Sequence, residues 1–134
     1  MNLVEVLVAG LITLGSAMGS MQVWAASASG LMAADARGTA LERSENDRVV
    51  LQAQWRASIP AGTDCTQAAS TMAAVTSQAP MPAGLQRDAL LNANEGTITL
   101  HWQPTNAGPK ALERTRVISA AGLGVCESRA EQGA

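Results

Sequence analysis

Few side chains in this 134-residue sequence could do chemistry, and one of them stands in an unusual place. Glu5 is the only charged residue before Asp35, and the run around it is apolar. A lone carboxylate in such surroundings is costly, so it calls for a cation, which another chain could bring. His101 is the single histidine, and the alternation Thr97, Thr99, His101 puts it on the solvent side of a strand. No Cys-x-x-Cys, glycine-rich phosphate loop or carboxylate cluster accompanies it. Nothing is spaced for acid-base, nucleophilic, redox or metal chemistry, and the expectation is a protein that is not an enzyme and uses no cofactor.

Composition narrows the partners. A chain that is 47% hydrophobic with a formal net charge of -2 is neither disordered nor built for polyanions. Its 9 Lys and Arg are scattered as singles, which gives no stripe for phosphate backbones. Without Tyr or Phe, and with only Trp24, Trp55 and Trp102, it offers neither base-stacking platforms nor a stacked path for electrons. No direct nucleic-acid site is expected.

The element that carries Glu5 is MNLVEVLVAGLITLGSAMGSMQVWA, residues 1–25. It is long enough for a membrane helix, which needs roughly 20 apolar residues. A secretory signal would begin with basic residues, and none is present. A plain single-span anchor explains length and apolarity but gives no reason for a carboxylate that costs ~2.5 to 3.5 kcal/mol inside a bilayer.

The segment LVEVLVAGLITLG, with Glu5 counted from the chain start, resembles the N-terminal motif of type IV pilins and pseudopilins. The resemblance implies that a leader peptidase has removed a basic leader and that the new first residue is N-methylated. It also implies a subunit held in the bacterial inner membrane until pilus assembly machinery adds it to an extracellular filament of identical subunits. The amine of a neighbour's Met1 would then be the counter-charge of Glu5. Two positions depart from the motif, Met1 where the family has Phe and Gln22 where it has a proline. Gly10, Gly15 and Gly19 are the sites left for local unwinding, each glycine costing ~1 kcal/mol against alanine. Gly15-x-x-x-Gly19, with Ser16 and Ser20, is equally a surface for close helix packing.

Residues 26–58 read as an amphipathic continuation of the same helix. Leu41, Val49, Val50, Leu51, Ala53 and Trp55 supply a covered side, and Arg43 with Asp47 and Glu45 with Arg48 are spaced for surface pairs on a solvated one. A helix of about 57 residues would reach ~85 Å, more than a small head could cover, so lipid or other subunits must cover its first half. Ile59-Pro60-Ala61-Gly62 stops it.

Residues 59–134 form the expected head. Asp64 is placed to cap a helix over Cys65–Gln78, which Pro80 and Pro82 end. Strands are predicted over Leu85–Asn92, over 97–103 with Ile98, Leu100 and Trp102 on one face, and near 114–120. The fold class is α+β, a long N-terminal helix with a small antiparallel sheet packed on its C-terminal half, which is the pilin layout. In an exported chain Cys65 and Cys126 favour a disulfide, worth ~4 kcal/mol in the chain-entropy model. The exposed surface it bounds would include 104–110 and the tail 127–134. The resemblance implies a structural filament subunit. A minor pilin or pseudopilin of a secretion or DNA-uptake machine and a monomeric anchored binding module are the alternatives.

Overall fold

The computed structural model describes residues 2–106 and 112–127, and at 15–18 the backbone alone. Two compact units divide the chain, Met1–Ala36 and Arg37–Ala134. One helix, α1 (Leu3–Ser58), belongs to both. Its 56 residues contain no proline, and Pro60 follows just after its end. At its start Glu5 N and Val6 N donate to Asn2 O at 2.9 and 3.4 Å.

In the second unit α1 buries one stripe, Ser44, Asp47, Leu51 and Trp55, which Ile59 extends just past its end. Steps of three and four residues keep these side chains on one face. Helix α2 (Cys65–Gln78) packs here through Ala68, Ala69, Met72 and Thr76. Asp64 caps α2 as expected, its carboxylate accepting from Thr66 N at 3.1 Å. Trp55 ties the helices together by donating to Met72 O at 3.1 Å and Thr76 Oγ1 at 3.2 Å.

The sheet has three antiparallel strands in the order β1 (Leu85–Asn92), β2 (Thr97–Pro104) and β3 (Arg114–Ser119). Ile98, Leu100 and Trp102 are buried, which is the face predicted by alternation. With Leu51, Trp55, Met72 and Leu85 they make the core between the sheet and the C-terminal part of α1. A 3-10 turn (Ala93–Glu95) closes the first hairpin, and Gly96 follows with φ +61°. A Cβ there would lie 3.2 Å from both the Cβ and the carbonyl oxygen of Cys65. The hairpin end therefore abuts the first turn of α2, and glycine suits both the close approach and the left-handed backbone.

Cys65 and Cys126 are bonded, with Cα atoms 4.9 Å apart and a sequence separation of 61. Beside the bridge, Glu127 N donates to Thr63 O at 3.3 Å. Of the region expected to be exposed, Pro104 belongs to β2, while 107–111 and 128–134 lie outside the described residues.

Two local expectations are corrected. Asp47 does not pair with Arg43 on a solvated face. It is buried and accepts from Arg87 Nη1 at 2.6 Å, while Arg43 donates to Ala83 O at 3.2 Å. A carboxylate on the buried stripe must find its cation inside the fold, and β1 supplies it. His101 faces outward but is half-buried, bonded to Thr115 Oγ1 and Gln103 Nε2 at 2.8 Å each.

Candidate functional site

Successive helical residues turn by 100°, so a solvated helix face would appear as polar residues at i, i+3 and i+7. From Glu5 those positions are Val8 and Ile12, both at least half exposed. Leu3, Val4, Leu7, Leu11 and Leu14 cover the remaining directions and are 59% exposed or more. Over residues 3–12 α1 therefore has no polar side apart from Glu5 itself. Thr13 turns its hydroxyl back onto Ala9 O, and Ser29 donates to Ala26 O at 2.9 Å. Such bonds satisfy a hydroxyl without solvent.

Glu5 lies in the first turn of this helix, next to the unpaired N–H groups at its start. The helix dipole stabilises a carboxylate there by ~0.3 to 1 kcal/mol. This contribution was missed in the sequence, where the position of the first turn was not fixed. It is smaller than the cost of a charge in hydrocarbon, so a further counter-charge is still called for. Met1, whose amine is the expected partner, lies outside the described residues.

Gly10 and Gly19 sit inside α1 with nothing within 4 Å of a Cβ built on either. The fold of one chain therefore makes no demand for glycine at these positions. Gly15 falls in the segment described by backbone alone. Trp24, 79% exposed, stands near the end of the apolar run, where a membrane helix would place an interfacial aromatic. By length and composition α1 can cross a membrane.

A second arrangement, in the head, was also missed. Glu45 on α1 accepts from Arg48 Nε at 2.7 Å and, through its other oxygen, from Arg114 Nη2 of β3 at 2.7 Å. The Arg48 hydrogen bond, with the charges of Arg48, Arg114 and Arg116, holds its carboxyl below the ordinary glutamate value against the opposing effect of burial. Glu45, Arg48 and Arg116 line an open cleft of about 480 Å³ between α1 and β3. The spacing of Glu45 and Arg48 was readable, but Arg114 is 69 residues away in sequence.

His101 and the bonded cysteines are not brought into a common site. Among the described residues no three His, Cys, Asp or Glu side chains converge as metal ligands. In comparison with known proteins, no family model, curated protein or solved structure matches this chain.

Proposed function

We propose that this chain is the structural subunit of a type IV pilus-like filament, held in the inner membrane before assembly and in the filament core afterwards by residues 1–25. One observation carries the reading. The helix over residues 3–12 is apolar in every direction, and its single charge, Glu5, has Val8 and Ile12 along its own face. Lipid can cover the apolar side chains but offers no cation at a fixed place. A bundle of identical helices covers them and can bring a cation from a neighbour, the N-terminal amine being the one expected. Packing of this kind also gives a use to Gly10 and Gly19, whose open surfaces serve nothing within one chain.

A single-span anchored head is the second reading, and Trp24 favours it, because an aromatic at the end of an apolar run suits a membrane interface. The two readings separate on Glu5. Filaments sheared from cells and analysed by mass spectrometry are expected to contain this chain as their main protein. With Glu5→Val the subunit is expected to accumulate in the membrane while filaments disappear. Unchanged filament yield from that variant would rule out the pairing, and absence of the wild-type chain from the sheared fraction would rule out the filament.

A further inference from the structure

The inner face of β3 turns toward α1, with Arg116 in the row of buried Leu100 and Arg114 in that of buried Trp102. Three guanidinium groups, Arg48, Arg114 and Arg116, therefore gather around one carboxylate, Glu45, and leave an excess of two positive charges. Both Glu45 oxygens are engaged, by Arg48 and Arg114. Arg116 is near enough to act on the Glu45 charge, yet its guanidinium donates to no acceptor among the described residues. The neighbouring acids do not neutralise the excess. Glu113 turns to Gln103 at 3.5 Å and His101 at 3.8 Å, and Glu42 stands exposed and outside the cleft lining.

The cleft these charges border, about 480 Å³, has further donors in its lining. Gln52, one turn beyond Arg48 on α1, brings a side-chain amide with no hydrogen-bond partner among the described residues. Ser119 Oγ accepts from Gly122 N at 2.9 Å, which leaves the hydroxyl proton to be donated elsewhere. A Cβ on Gly122 would lie 2.6 Å from that oxygen, so glycine lets the turn close onto Ser119. Ile118 and Leu123, both half-buried, add aliphatic surface to the same lining.

We infer that the α1–β3 cleft binds a phosphate monoester of a small organic molecule, its phosphoryl group held by Arg116 and the remaining donors of Arg48, its organic part lying among Gln52, Ser119, Ile118 and Leu123. The charge selects the anion. A phosphate monoester carries about −1.5 to −2 at neutral pH, which matches the two guanidinium charges that Glu45 leaves over. Guanidinium groups also hold phosphate oxygens through paired hydrogen bonds, which fixes orientation. The volume selects the ester. Four oxygens at about 30 Å³ each, the share of one water, take up roughly a quarter of the cleft, and the amide, hydroxyl and aliphatic lining suits a hydroxyl-bearing carbon body in the rest. This site goes beyond the filament reading and does not rest on it.

The test uses the full chain in micelles of an uncharged detergent, titrated with glucose 6-phosphate and, at the same ionic strength, with glucose, inorganic phosphate and acetate. The arginine Nε–H and Gln52 amide resonances report binding. They are expected to saturate with glucose 6-phosphate, to respond more weakly to inorganic phosphate, and to stay in place with glucose and acetate. Arg116→Gln should weaken binding ~10-fold, the loss of a hydrogen bond to a charged group. Glu45→Gln should tighten it several-fold, because Arg48 and Arg114 lose their competing carboxylate. Arg56→Gln removes the same charge from α1 outside this cleft and should leave affinity unchanged. Equal weakening by Arg116→Gln and Arg56→Gln, absence of saturation, or equal binding of acetate would overturn the site. Inorganic phosphate binding as tightly as glucose 6-phosphate would overturn the place given to the organic part. If Arg116→Gln loses the native spectrum, Glu45→Gln decides alone, and weaker binding by it overturns the proposal. Filament yield enters none of these results.

Discussion

Asp47 of α1 accepts from Arg87 of β1 at 2.6 Å, and both side chains are buried. The second oxygen of Asp47 accepts from Trp102 Nε1 at 2.8 Å, and Arg87 Nη2 also reaches Thr76 O and Ala79 O at 3.0 and 3.1 Å. One ion pair thus joins α1, the end of α2 and two strands, with its hydrogen-bonding capacity used from several directions. A buried pair satisfied in this way fixes how the sheet sits on the C-terminal part of α1, because either charge left alone would be expensive.

Asp47→Ala should therefore destabilise the head by ~3 to 5 kcal/mol, since it leaves Arg87 charged and unpaired in the core. The double variant Asp47→Leu with Arg87→Met should recover most of that loss, because removing both charges abolishes the desolvation cost. Urea titration of the full chain in micelles, followed by the fluorescence of buried Trp55 and Trp102, measures both. A double variant no more stable than Asp47→Ala would contradict this account.

What was legible in the sequence was what local chemistry decides. Pro60 and Gly62 end α1, Asp64 caps α2, and Ile98, Leu100 and Trp102 declare the buried face of β2. Each of these rests on residues within a few positions of one another. Asp47 could not be read in this way. Its spacing from Arg43 fitted a surface pair, and only the fold shows that it lies on the same stripe as Leu51 and Trp55 and faces Arg87 forty residues on. The Arg114 link to Glu45 was hidden for the same reason. Glu5 was visible as an anomaly, yet its place in the first turn needed the helix start at Leu3.

The disulfide closes a loop between residues 61 apart and ties the segment around Cys126 to the start of α2. Replacing Cys65 and Cys126 together by alanine should cost ~4 kcal/mol through the larger freedom of the unfolded chain. The same urea titration, run with and without reductant on the native chain, should show matching losses. Equal stability of bridged and unbridged chains would mean that the hydrogen bond of Glu127 to Thr63 holds this end unaided.

The Glu45 cluster predicts an acid dependence. Its folded carboxyl is held below the ordinary value, chiefly by the Arg48 hydrogen bond. Its stabilisation is thus present above that ordinary value and is lost as pH falls through the lowered folded one. β3 should then loosen from α1, because Arg114 loses its anchor. Melting temperatures between about pH 6 and pH 3 should fall less steeply for Glu45→Gln than for the native chain. The effect is small, because the Glu45 side chain is 40% exposed and solvent screens it. Identical slopes would show that Glu45 contributes nothing to it.

Gly10 and Gly19 give the clearest separation between what one chain needs and what an assembly needs. No atom lies within 4 Å of a Cβ at either position, so alanine should fit without strain and should strengthen α1 by ~1 kcal/mol per site. Leucine should also be accommodated by the isolated helix. If a neighbouring helix packs against these positions, the same leucine holds the two backbones apart, and assembly fails although the subunit is unharmed. Gly19→Leu is therefore expected to reach the membrane at native abundance and to be depleted from the sheared filament fraction, with Gly19→Ala between the two. Quantifying both fractions for each variant checks this. Native filament yield from Gly19→Leu would remove close helix packing at that residue from the proposed core, whereas loss from the membrane fraction as well would locate the requirement within the single chain.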